Sequence, residues 1–118
     1  MNRYEDIIAA LAARGITAYA PAEKRGICAA PYCVVRQSGA NRRAESRRGG
    51  YCRYRIYIFV PIDRYSLMDS FAEEAREALR PLEESGALRL DRPRSETAID
   101  DEFRAHTCFI EFVSEFSV

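Results

Sequence analysis

A single histidine, a single lysine and no long apolar run set the first limits on this 118-residue chain. The apolar stretch Ile56 to Val60 is strand-sized and carries a tyrosine, and the longest, Ile7 to Ala13, has only seven residues. It falls far short of the roughly 20 residues of a membrane span, so no membrane association is expected. Glu5 and Asp6 stand where a signal peptide would carry only basic residues, and synthesis in the cytoplasm is expected. With one histidine, the sole nucleophile–base pairing on offer is His106 with Cys108, which would share a strand face. No glycine-rich elbow or oxyanion-hole segment accompanies them, so a histidine on a sheet face is the simpler reading. The cysteines Cys28, Cys33, Cys52 and Cys108 include no second closely spaced pair, which is what a zinc site wants. Three of them fall in expected strands as small core residues, and no disulfide is expected. Asp100-Asp101-Glu102 lacks the alternating acids and glycine of a calcium loop and reads as a solvated turn. No catalytic residue, cofactor or metal is expected.

The composition, 47% hydrophobic and 31% charged, is that of an ordinary globular domain, and the length fits one. Net charge is zero but unevenly spread. Residues 1–62 carry eleven basic residues against four acids, a net of +7, and residues 63–118 carry seven against fourteen, a net of −7. The halves either attract within one fold or drive head-to-tail association between copies. Of the 18 basic residues all but Lys24 are arginine. Arginine suits protein interfaces, although a GC-rich genome would produce the same bias.

Tyr4, Ile7, Ile8 and Leu11 recur at helical spacing ahead of Gly15, giving a first helix over about 3–14. Ile16 to Tyr19 is a short extended stretch and 21–30 a loop. Tyr32 to Gln37 is a strand. Ser38 to Gly50 has no apolar period and is expected to be a long, mobile hairpin loop. In Tyr51 to Val60, Cys52, Tyr54, Ile56, Ile58 and Val60 point one way and Tyr51, Arg53, Arg55, Tyr57 and Phe59 the other. A main helix capped by Asp63 or Ser66 runs to about Glu84, with an apolar stripe from Leu67 to Leu82. Pro81 should kink or loosen its last turn, and Gly86 is a natural stop. Ala87 to Leu90 is a short strand and 91–101 a loop. Phe103 to Val113 or beyond is a central or interface strand, apolar on both faces near its middle. The order of elements predicts an α+β single-domain sandwich over residues 1–118, a mainly antiparallel sheet packed against two helices.

The most suggestive chemistry is basic. Arg42, Arg43, Arg47 and Arg48 crowd the hairpin, and Arg53 and Arg55 continue along one strand face with Tyr51, Tyr57 and Phe59. Such a set can neutralise phosphates and stack bases. Zero net charge argues instead for protein contact, with Glu73, Glu74 and Glu77 of the main helix as candidate partners on a neighbouring copy.

Several segments together carry a resemblance. They are Pro31-Tyr32-Cys33-Val34-Val35, a polar hairpin, Tyr54-Arg55-Ile56-Tyr57-Ile58-Phe59-Val60-Pro61, a long amphipathic helix, Asp100-Asp101-Glu102-Phe103 and Phe109-Ile110-Glu111-Phe112. In order and spacing the chain resembles the tail-terminator, or tail-completion, proteins of long-tailed bacteriophages, over nearly its whole length. The resemblance implies a non-enzymatic virion protein that assembles as a ring, typically of six copies, on the end of the tail tube. The ring stops tube growth and offers a joining surface for the head-tail connector. It implies self-association, contact with the tail tube protein, DNA contact as an option only, and a place in the virion tail or neck after assembly in the bacterial cytoplasm. A different head–tail connector or minor capsid protein, and a small nucleic-acid-binding module using the arginine hairpin, are the alternatives.

Overall fold

A computed structural model describes residues 3–42 and 49–117. Helix α1, Tyr4–Ala13, buries Ile7 and Leu11 completely. It stops at Gly15, whose φ of +73° lets the Ile16 N–H donate back to the Leu11 carbonyl at 3.0 Å. Strand β1, Ala18–Tyr19, then pairs parallel with β2, Tyr32–Arg42, which returns antiparallel as β3, Gly49–Pro61. A 3₁₀ turn at Tyr65–Leu67 leads into α2, Met68–Ala78, followed by α3, Arg80–Glu84. Strands β4, Arg89–Arg92, and β5, Ala98–Asp100, both pair with β6, Ala105–Ser117. The sheet order is β1-β2-β3-β6-β4, with β5 beside β6. All pairings but the first are antiparallel. This is the expected α+β architecture, with β6 central as its two-sided apolar pattern required.

The core follows the two periodicities. On β3, Tyr54, Ile56, Ile58 and Val60 are fully buried and Cys52 is 4% exposed. They meet Met68, Ala72, Ala75, Ala78 and Leu79 from the helix stripe, with Cys33 and Val35 of β2 and Cys108, Ile110 and Phe112 of β6. The three alanines let α2 lie close to the sheet. Buried Tyr54 keeps its hydroxyl satisfied by accepting the Arg3 N–H at 2.8 Å.

Several expectations need correction. The hairpin loop is shorter than expected: residues 39–42 pair with 50–53, with a bulge between Gln37 and Gly39, so the ladder absorbs both ends. Polar side chains do not prevent a ladder, because the backbone bonds are indifferent to them. The remainder, residues 43–48, lies outside the described residues. Neither Asp63 nor Ser66 caps α2, which follows directly on the 3₁₀ turn with Leu67 at its N-terminal boundary. Pro81 does more than kink the main helix. It splits it at Leu79 into α2 and α3, giving three helices among the described residues, because its ring excludes the carbonyl four residues back and it lacks an N–H. The strand expected at 87–90 lies at Arg89–Arg92, and the loop expected over 91–101 contains β5.

Candidate interface on the open sheet face

The helices cover one face of the sheet; the strand period sends the intervening side chains to the other. Register aligns them in rows across β2, β3 and β6. Tyr32 lies opposite Phe59 and Phe59 opposite Thr107; Val34, Tyr57 and Phe109 form the next row; Arg36, Arg55 and Glu111 the third. The first two rows are largely aromatic. Tyr32 stacks on Phe59 with centroids 5.0 Å apart, Tyr19 meets Tyr32 edge-on at 5.4 Å, and Phe103 meets Phe59 at 5.9 Å. Tyr57 and Phe109 lie 5.6 Å apart.

The third row is ionic. Glu111 is only 6% exposed, yet carries both strand arginines. Its Oε2 accepts from Arg55 Nε at 2.7 Å and its Oε1 from Arg53 Nη1 at 2.8 Å. Arg53 also pairs with Asp91 of β4, and its guanidinium holds that carboxyl below the ordinary carboxylate value. Arg55 lies over the Phe109 ring at 4.4 Å and Arg53 over Tyr51 at 5.3 Å. Each guanidinium is therefore held between a carboxylate and an aromatic face.

The other sequence-stated candidates are placed as follows. Arg42 pairs through its backbone with Gly50 at the end of the described ladder, while Arg43, Arg47 and Arg48 lie outside the described residues. Glu77 is bound to Arg80 by two contacts of 2.7 and 2.9 Å, which lower its pKa. Glu73 and Glu74 are exposed on α2, on the side of the sheet opposite Arg53 and Arg55. The strand arginines and the helix glutamates thus do not meet within one copy.

His106 Nε2 donates to the Ile62 carbonyl at 3.1 Å, with its ring edge-on to Tyr65 at 4.7 Å. The Cys108 thiol points into the core against the Met68 sulfur at 3.6 Å. The two side chains share a strand face but are engaged elsewhere. Asp100 Oδ1 accepts the Phe103 N–H at 3.0 Å, closing the turn that leads into β6. Among the described residues no group of three or more His, Cys, Asp or Glu side chains is placed to hold a metal ion.

Sequence reasoning missed Glu111 and Asp91. The signal for Glu111 was a lone acid inside the apolar run Phe109-Ile110-Glu111-Phe112-Val113, where a charge needs a partner. Asp91 had no such signal. No protein-family model matches the chain, and a search of characterised proteins gives no significant match.

Proposed function

We propose that the chain is a phage structural protein of the tail-terminator kind, acting without catalysis. It assembles as a ring on the finished tail tube, ends tube growth and presents the surface that joins the head-tail connector. The observation that carries this reading is the open sheet face, rich in Tyr, Phe and Arg and left uncovered by the helices. Aromatic and arginine side chains are the types enriched where protein surfaces meet. In this reading the protein is made in the bacterial cytoplasm and ends in the virion tail or neck.

The same aromatic rows favour the nucleic-acid reading, since bases stack on such surfaces. The ionic row weighs against it: Arg53 and Arg55 are already neutralised by Glu111 and Asp91. A phosphate would have to displace carboxylates from both. The deciding measurement is mass by light scattering, alone and on purified tail tubes, beside binding to single-stranded DNA. Ring-sized assembly, alone or on tubes, is the expected result. A chain that stays monomeric in both settings, or that binds DNA tightly and loses it with added salt, sinks the proposal.

A further inference from the structure

Three clefts of about 380 to 440 Å³ hold acids beside their arginines: Asp69 and Glu73 by α2, Glu83 and Glu115 by β4, and Asp63 ahead of the 3₁₀ turn. A cleft of about 350 Å³ on the open sheet face differs in two respects. Lys24 and Arg36 line it with no carboxylate among its lining residues, and Tyr57, Phe59 and Phe103 give it a floor of rings. These three rings are half-buried, so part of each stays open to a ligand. Tyr32, only 3% exposed, stacks on Phe59 and fixes it.

The loop that carries Lys24 is fastened at both ends. Glu23 donates its N–H to the Ala20 carbonyl at 3.1 Å and accepts the Ala20 N–H on Oε1 at 2.8 Å, so its carboxylate is engaged there. At the other end the Cys28 N–H donates to the Phe103 carbonyl at 2.7 Å. Ala22, in the first turn, stands at φ +66°, a conformation that costs a non-glycine residue energy and collects at ligand sites. Lys24 Nζ lies 5.9 Å from the centre of the Tyr32 ring and donates to the Arg25 carbonyl at 3.1 Å. The cation is thus in place before a ligand arrives, which lowers the cost of binding. Open ring faces take a flat ring by stacking, and the volume is at the low end for small-molecule sites. A phosphate monoester carries about −1.5 to −2 charge at neutral pH, which two cations balance. We infer that this cleft binds a nucleoside monophosphate, the base on the rings and the phosphate paired with Lys24 and Arg36. The cleft lies within one copy, so the inference does not depend on the ring reading.

Calorimetric titration of the full chain tests it, with adenosine 5′-monophosphate, adenosine, inorganic phosphate and single-stranded DNA as probes. The monophosphate should bind about tenfold or more tightly than adenosine, which lacks the anion, or phosphate, which lacks the ring. A variant carrying Lys24→Gln and Arg36→Gln should keep the parent's thermal midpoint and bind the monophosphate about tenfold or more weakly. Arg14→Ala, which removes an exposed cation at the end of α1, should bind it like the parent. No binding by the parent at millimolar monophosphate overturns the inference. Phosphate that binds as tightly as the monophosphate reveals an adventitious ion only and overturns it too. So does a folded Lys24, Arg36 double variant that binds like the parent, or an Arg14 variant that loses as much affinity as the double variant. DNA that binds more tightly than the monophosphate, and more tightly still with length, makes the cleft part of a strand-binding face and overturns the free nucleotide as its ligand.

Discussion

Glu111 is the residue on which the open face depends. Its carboxylate keeps two guanidiniums on adjacent positions of one strand face from repelling each other. Glu111→Ala leaves both without their buried partner and should cost about 1–3 kcal/mol, a range kept low because each arginine is about one-third exposed and partly solvated. Urea titration of the variant checks it; an unchanged midpoint would show that solvent already does the work of the carboxylate. Cys33 gives a second expectation. Burial pushes its thiol from 9.0 up to about 12, with Cys108 adding to the rise. Unfolded, the same thiol ionises near its ordinary value. Between about pH 9 and 12 the unfolded chain therefore holds fewer protons than the folded one, and stability falls as pH rises. Tyr32, raised from 10.0 to about 12 chiefly by burial, acts in the same direction. The denaturation midpoint should drop between pH 8 and pH 11, and the drop should shrink in Cys33→Ala; a midpoint that rises with pH would contradict the sign.

At the scale of elements, the helical layer is set by small residues and by its breaks. Phe71 belongs to the apolar stripe but is only half-buried, so Phe71→Ala should cost about 1–2 kcal/mol rather than the 3–5 kcal/mol of a fully enclosed ring. Ile56→Ala, at a fully buried position of β3, should cost about 2–5 kcal/mol. The ranking is the check: a larger loss for Phe71 would mean that α2 packs more tightly than its exposure shows. Gly86 ends α3 at φ +84° with no atom within 4 Å of a built Cβ. Gly86→Ala should therefore cost about 1 kcal/mol from backbone strain alone, and Gly86→Asn less, both readable in thermal midpoints.

As a whole, the molecule is long and narrow, 48 × 25 × 23 Å, because β2, β3 and β6 run 11 to 13 residues side by side. Replacing Arg42, Arg43, Arg47 and Arg48 together by serine should leave the thermal midpoint nearly unchanged, since an exposed ion pair is worth about 0–1 kcal/mol. Assembly should weaken, and more so at high salt. A quadruple variant that fails to fold would make the hairpin structural. One that assembles normally but loses DNA binding shown by the parent would favour the nucleic-acid reading.

The local patterns determined a great deal. Alternation along 51–60 assigned the buried face of β3 residue by residue, the i, i+3, i+4 stripe assigned that of α2, and Gly15 and Gly86 marked helix ends. Such signals are legible because strand and helix repeat at fixed periods and one face of each must leave water. The hairpin arms were not legible, because a polar strand and a loop look alike until a neighbour supplies the ladder. The matching of charges was further out of reach. Arg55 meets Glu111 across 56 positions and Arg53 meets Asp91 across 38, contacts that exist only because β3 pairs with β6 and β6 with β4. Tertiary structure alone decided that these arginines are spent within the copy. Coulombic partners are chosen by distance in space, and sequence separation carries no record of it.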